Sequence, residues 1–174
     1  MGYIYVGCAG LIGLVFAASA VTKLRDFTGF VDSIPGLVPM RARSTRPIGC
    51  AVVAAETSVP VLVLLPPTRG PGFVVAGVLL AAFTAAVGAA LRRGRRSPCR
   101  CFGASDTPLG ARHLVRNGVL LAASIAGLSA TGLDPSADLL PPLAGSAVAV
   151  VVGLVGALLI ISLDDIVDLF ARNA

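Results

Sequence analysis

The sequence predicts an all-α membrane protein, a polytopic bundle of about five transmembrane helices with one amphipathic helix at the membrane interface. The chain of 174 residues is 56% hydrophobic and 13% charged, whereas charged residues make up about 25% of a typical globular domain. Its mean hydropathy is +0.89, and a soluble domain of this size buries only about 70% of its surface. The apolar residues also cluster in segments long enough to cross a bilayer, which takes about 20 residues.

Five segments have the length and apolarity of spanning helices. They are Tyr3–Val21, Ile48–Leu65, Phe73–Leu91, Leu114–Ala130 and Ala144–Leu163. The fourth is the least apolar, because Arg116 and Asn117 occupy its first turn. A tight turn is predicted over 66–72, where prolines and glycines are concentrated.

The first helix is expected to continue past Val21 as an amphipathic segment along the interface, where a surface role is favoured over a substrate-binding role. Apolar residues recur there at spacings of three and four among charged ones: Leu24, Phe27, Val31 and Ile34. We expect this segment to end at Pro35-Gly36. Ala18-Ser19-Ala20 resembles a signal-peptide cleavage site, but no basic residue precedes Tyr3, which favours a membrane anchor over a cleaved signal.

The basic residues predict the orientation of the chain. If the amino terminus is outside, all of the 14 Lys and Arg residues except Arg69 fall on the cytoplasmic side. Because basic residues accumulate on that side of a membrane, we expect a bacterial plasma (inner) membrane protein whose carboxyl terminus lies in the cytoplasm. The net charge of +5 is then explained by topology, and nucleic acid is not an expected partner.

Small residues recur every four positions in two of the segments. They are Ala9, Gly13 and Ala17 in the first segment, and Gly145, Ala149, Gly153 and Ala157 in the fifth. Such stripes let helix backbones approach closely in lipid, so they predict a compact bundle or an oligomer contact. No internal repeat or second domain is visible, and we expect a single domain over residues 1–174.

Glu56 is a candidate functional residue, because it is the one charged residue inside the second segment and lies about halfway along it. A charge in the middle of a membrane costs about 3 kcal/mol or more unless it is neutralised, paired or facing water. A functional role and a structural role in holding the bundle together are both open. Lys23 and Arg116 are candidate partners, although both lie nearer the cytoplasmic boundary.

Cys99 and Cys101, in the loop between the third and fourth segments, are the strongest candidates for chemistry. Nearby cations stabilise a reactive thiolate, and this loop is rich in arginine: Arg92, Arg93, Arg95, Arg96 and Arg100. A strained, exposed disulfide is labile and oxidising. Two other interpretations remain open: a zinc site, for which Cys99, Cys101 and His113 form an incomplete set, and cysteines without chemistry. Cys8 and Cys50 lie in or near apolar segments and are expected to act as small hydrophobic residues.

Four features, in this order along the chain, resemble the MauE family of bacterial membrane proteins, relatives of the DoxX-like group. They are the stretch SAVTKLRDF over 19–27, Glu56, the sequence CRCFG over 99–103, and the pair Arg116-Asn117. The resemblance covers most of the chain and implies a helical membrane bundle that acts in redox maturation. It implies support for disulfide formation or for export of a dehydrogenase subunit, alongside a thioredoxin-like protein.

The residues and the resemblance together predict a membrane protein similar to thiol–disulfide oxidoreductases. Cys99 and Cys101 would be the catalytic pair, exchanging electrons with a thioredoxin-like partner or a quinone. A supporting polar site would comprise Lys23, Asp26, Glu56, Arg100, Arg116 and Asn117. In this site Lys23 and Glu56 would hold protons or a headgroup, and Arg100 would stabilise the thiolate. The alternative is a non-catalytic accessory or assembly subunit of a larger membrane complex, respiratory or dehydrogenase in type. No metal is expected in either case.

Overall fold

The structure of the chain, a computed structural model, describes residues 1–39, 42–94, 111–132 and 142–163. Within these ranges the chain forms six α-helices and one 3₁₀ turn: α1 (Gly2–Arg25), α2 (Phe27–Leu37), α3 (Ala42–Leu64), the 3₁₀ turn (Pro66–Thr68), α4 (Arg69–Arg92), α5 (Ala111–Gly132) and α6 (Leu143–Ile161). All of these helices except α2 are long and apolar enough to cross a membrane. The predicted all-α bundle with five membrane segments and a separate amphipathic helix is confirmed.

The long helices alternate in direction, which gives the bundle two chemically different ends. At one end the Tyr5 hydroxyl, near the start of α1, donates a 2.7 Å hydrogen bond to the Val63 carbonyl near the end of α3. At the other end the Arg93 guanidinium, just after α4, donates to the Leu37 carbonyl at the end of α2. We call these the Tyr5 end and the Lys23 end. At the Lys23 end, α1 and α4 finish and α3 and α5 begin.

Helix α1 is the centre of the bundle. It packs against α3, α5 and α6, while α4 packs against α3 and α5. The main core cluster draws on five helices and includes Tyr5, Ile12, Val15, Phe16, Val59, Val63, Phe73, Leu80, Leu120 and, from α6, Ala157. In α1, 44% of the apolar span is buried inside the protein, against 11% in α6. Helix α6 is therefore peripheral, with most of its surface available to lipid.

The amphipathic continuation after Val21 is confirmed, and it consists of two helical pieces. Helix α1 runs on to Arg25, and Asp26 then leaves helical geometry with φ −131° and ψ 64°. The Asp26 carboxylate accepts a 3.0 Å hydrogen bond from the backbone N–H of Gly29. An aspartate in this position satisfies one of the free N–H groups at a helix start, so Asp26 ends α1 and begins α2.

Two prolines lie inside helices, although the sequence predicted that helices would end or turn at them. The amphipathic segment ends at Leu37, one residue after the expected Pro35-Gly36, so that Pro35 lies in the last turn of α2. The expected turn over 66–72 is confined to the 3₁₀ turn, and α4 begins at Arg69 with Pro71 in its first turn. Proline is tolerated in the first turn of a helix, where its missing N–H has no helical partner. Pro35, near the end of α2, has no N–H and so removes a single backbone hydrogen bond of that helix.

The small residues support close packing on two different faces of α1. On α6, a Cβ added at Gly153 would stand 2.7 Å from the Gly7 carbonyl oxygen, so the two backbones touch there. Gly13 of α1 faces α3 instead, where an added Cβ would lie 3.7 Å from the Val63 side chain. The stripe on α6 thus packs on α1, while Gly13 of the α1 stripe faces α3.

We expect Gly153→Ala to destabilise the protein by about 1–3 kcal/mol, as overpacking typically does, because the added Cβ would collide with the backbone of α1. Gly156→Ala is the matched control in the same helix, since its Cβ would meet only the flexible end of Leu11 at 3.4 Å. Unfolding in mixed detergent micelles, followed by circular dichroism, measures both. Equal stability of the two variants would contradict close α1–α6 packing.

Candidate functional site

A buried ion pair joins α1 to α3 near the Lys23 end. The Lys23 ammonium nitrogen Nζ lies 2.9 Å from Glu56 Oε1, and each of these side chains is only 1% exposed. The ammonium also donates a 2.6 Å hydrogen bond to Ser19 Oγ. The Ser19 hydroxyl lies 3.2 Å from both carboxylate oxygens of Glu56. The three side chains therefore form one closed polar cluster, which we call the Lys23–Glu56 cluster.

Aromatic rings cover the ammonium on its other sides. Its nitrogen lies 5.3 Å from the ring centroid of Phe30 on α2 and 5.7 Å from that of Phe83 on α4. A cation within about 6 Å of a ring centroid is attracted by the negative face of the ring. Four helices thus contribute to the surroundings of Lys23, and α2 closes the cluster on the side of the membrane surface.

Glu56 lies deep in its helix, whereas Lys23 is near the end of its own. Glu56 follows Arg46 by ten residues, which corresponds to about 15 Å of helix at 1.5 Å per residue. This is about half of the hydrocarbon thickness of about 30 Å. Lys23 is third from the end of α1, so its long side chain extends from the helix end into the bundle to reach the carboxylate.

The cluster has the chemistry of a proton-holding or ligand-orienting site. A carboxylate, a hydroxyl and an ammonium in mutual contact can pass a proton along hydrogen bonds without moving the helices. An ammonium is also a strong donor toward a carbonyl or phosphate oxygen. Buried charges within a membrane tend to mark proton or substrate pathways, although a structural ion pair would have the same geometry.

A second set of buried polar side chains lies on α5. His113, Arg116, Asn117 and Ser124 are each at most 4% exposed, and their spacing places them on one face of the helix. An Arg116 guanidinium nitrogen, Nη2, lies 3.4 Å from His113 Nδ1. Because α5 packs against α1 and α4, this face extends the polar interior of the Lys23 end.

The predicted site residues fall into three groups. Lys23 and Glu56 are brought together, and Arg116 and Asn117 lie buried on α5. Asp26 caps the amino-terminal end of α2, which is a structural role. The thiol pair Cys99 and Cys101, together with Arg100, lies outside the described residues. Within 1–39, 42–94, 111–132 and 142–163, no group of three or more His, Cys, Asp or Glu side chains is arranged to hold a metal ion.

Three side chains around Lys23 have no role predicted from the sequence: Ser19, Phe30 and Phe83. Ser19 precedes Lys23 by four residues, the spacing at which helical side chains meet, so this contact could have been found from the sequence. The two phenylalanines come from separate helices, and only the tertiary structure places them beside the ammonium.

Comparison with known proteins was made against families, curated proteins and solved structures. A family model described as methylamine utilisation protein MauE matches residues 1–130. The matched region contains α1 to α4 and all but the last two residues of α5, including the whole Lys23–Glu56 cluster, and it ends before α6. No curated protein and no solved structure matches the chain.

We expect Lys23→Met to lower the free energy of unfolding by about 3–5 kcal/mol, because it leaves the Glu56 carboxylate buried without its ion-pair partner. The double variant Lys23→Met/Glu56→Leu should lose less than Lys23→Met alone, since it removes both charges. Unfolding in mixed micelles measures the effect. Arg25→Met, an exposed change two residues away, is the control and should alter stability by less than about 0.5 kcal/mol. A double variant as unstable as the sum of the single variants would contradict the coupling.

Proposed function

This chain belongs to the MauE family of membrane proteins, and from that premise we propose that it carries out thiol–disulfide exchange at the membrane surface. Cys99 and Cys101, in the segment between α4 and α5, are the reacting pair. The observation that carries the proposal is the position of this segment's flanks. Helix α4 ends at Arg92 and α5 begins at Ala111, both at the Lys23 end. Both flanks of the segment that contains the thiol pair therefore lie at the end of the bundle that contains the buried Lys23–Glu56 cluster.

The proposed reaction is a two-electron exchange. The Cys99 and Cys101 thiols lose two protons and two electrons and form one S–S bond. When the acceptor is a thioredoxin-like partner, a thiolate of the Cys99–Cys101 pair attacks the disulfide of the partner and forms a mixed disulfide between the two proteins. The second thiol of the pair then resolves the mixed disulfide, and the partner leaves as a dithiol. A quinone accepts the same two electrons and two protons and leaves as a quinol. Either acceptor balances the reaction. The reaction runs in reverse when it starts from the dithiol form of the partner or from the quinol.

The basic and buried residues have separate roles in this proposal. Arg100 and the neighbouring arginines stabilise the thiolate that attacks the partner. The Lys23–Glu56 cluster, whose charged side chains are buried beneath Phe30 and Phe83, holds and returns a proton within the bundle. His113 and Arg116, buried in the first two turns after the segment, extend the polar interior toward it.

The orientation of the chain is also part of the proposal. Among the described residues, the Lys23 end carries most of the basic side chains, including Arg43, Arg46 and Arg92, whereas the Tyr5 end carries Arg69. By the positive-inside tendency, the Lys23 end faces the cytoplasm of a bacterial plasma membrane. The thiol pair would then meet a cytoplasmic redox partner.

A second candidate function is that of a non-catalytic accessory subunit. The observation that favours it is α6, which lies beyond the family match. Large apolar side chains are exposed along this helix: Val148, Val150, Val151, Val152, Leu154, Val155, Leu158 and Leu159. Such a surface suits a helix of a larger complex as well as lipid. A partner protein that co-purifies at constant stoichiometry with a Cys99→Ser/Cys101→Ser variant would identify this function.

We expect two of the four thiols to change redox state together in cells. A mass-tagged alkylating reagent, added under denaturing conditions, should attach four tags to the reduced chain and two after oxidation with diamide. Cys99→Ser/Cys101→Ser should carry two tags in both states. Cys8→Ser/Cys50→Ser, the matched control, should change from two tags to none, because both of its remaining thiols belong to the reacting pair. Tagging of the wild type that does not respond to oxidation would overturn the redox function.

We expect the Tyr5 end to be accessible from outside the cell. In a chain whose four cysteines are replaced by serine, Pro67→Cys places an exposed thiol at the Tyr5 end and Arg92→Cys places one at the Lys23 end. A membrane-impermeant maleimide applied to spheroplasts should label only Pro67→Cys, and both should react after permeabilisation. The opposite labelling pattern would reverse the orientation and place the thiol pair outside.

A further inference from the structure

A cleft of about 310 Å³ lies between α2 and the first turns of α3, outside the Lys23–Glu56 cluster. It is lined by Phe27, Thr28, Val31, Asp32, Thr45 and Arg46. Helix α2 approaches α3 closely at Gly49, where an added Cβ would stand 2.8 Å from a methyl group of Val31. This approach sets the two walls of the cleft, one from each helix.

The cleft presents opposite charges that do not pair with each other. Asp32 on α2 and Arg46 on α3 are both exposed. Within the described part of the chain, no ion pair joins these two side chains. The lining thus combines an anionic group, a cationic group, two hydroxyls and an apolar surface from Phe27 and Val31. A ligand that complements Asp32, Arg46 and the apolar surface carries both a cationic and an anionic group, together with an apolar part.

The position of the cleft indicates where such a ligand would come from. The apolar span within α3 begins at Arg43. Arg46 therefore stands in the first turn of this span, where the chain enters the membrane. Long basic side chains at such a boundary reach the level of the lipid headgroups. Helix α2, with Phe30 and Ile34 buried and Asp32 exposed, has the character of an interfacial helix. The cleft therefore opens at the depth of phospholipid headgroups.

We propose that this cleft binds the headgroup of a zwitterionic aminophospholipid, with the phosphate at Arg46 and the primary ammonium at Asp32. The guanidinium presents a planar set of N–H donors that matches phosphate oxygens. The Asp32 carboxylate accepts hydrogen bonds from the primary ammonium. A quaternary choline group has no N–H and cannot donate such hydrogen bonds. Phe27 and Val31 contact the apolar part of the lipid next to its headgroup. This inference does not depend on the proposed thiol chemistry.

Native mass spectrometry of the full chain in mild detergent tests the proposal. Phosphatidylethanolamine, phosphatidylcholine and phosphatidylglycerol with identical acyl chains are added at equal concentration. We expect phosphatidylethanolamine to be retained about tenfold more than either of the others, as one additional hydrogen bond between charged groups would produce. Equal retention of the three lipids would overturn the proposal. Displacement of the bound lipid by soluble phosphoethanolamine at similar concentration would overturn the assignment to a lipid and indicate a soluble ligand.

Matched variants connect the lipid to the cleft. Asp32→Asn should abolish the preference for phosphatidylethanolamine over phosphatidylcholine, and Arg46→Gln should lower retention of phosphatidylethanolamine about tenfold. Arg43→Gln is the control, because Arg43 is exposed on the same helix but does not line the cleft. Circular dichroism verifies that these exposed substitutions leave the fold intact. A loss in Arg43→Gln equal to that in Arg46→Gln would show general charge attraction and overturn the site.

Discussion

The bundle is organised around a charged pair in a medium that does not solvate charge. Lys23 of α1 and Glu56 of α3 reach each other deep in the protein, and Ser19 contacts both. Because an isolated charge at this depth costs about 3 kcal/mol or more, each helix tolerates its own charge only when the other helix is beside it. The pair therefore favours the observed register of α1 against α3, and Phe30 and Phe83 cover the pair from α2 and α4.

Helix α1 lies at the centre of the bundle because different faces of it pack against α3, α5 and α6. Gly13 allows α3 to approach on one side, and Gly7 meets the backbone of Gly153 on α6. Helix α4 packs against α3 and α5, away from α6. The family match ends before α6, and the helices within the match hold the whole Lys23–Glu56 cluster. Helix α6 packs on α1 at the periphery of this unit, and the side chains of the cluster and the two rings beside it come from α1, α2, α3 and α4.

Polar groups are unevenly distributed between the two ends of the bundle. The Tyr5 end has Arg69, whose guanidinium lies 4.7 Å from the ring centroid of Tyr5. The Lys23 end has the buried cluster, the polar face of α5 and the cleft beside Arg46. Both ends of the segment that carries the thiol pair are also attached there. This asymmetry supports the proposed function, because the buried polar groups and both flanks of the segment that contains Cys99 and Cys101 lie at the same end of the bundle.

The sequence by itself determined the fold class and the membrane segments, because apolar length follows directly from the thickness of a bilayer. It also identified Glu56 as exceptional and left Lys23 and Arg116 as candidate partners. The start of α4 was predicted too late, after Pro71, since the effect of proline depends on its position within a helical turn. Only the tertiary structure decided that Lys23 pairs with Glu56 and that Phe30 and Phe83 lie beside the Lys23 ammonium. The physical reason is that these contacts depend on helix register and rotation, which packing sets and hydrophobic periodicity alone does not specify.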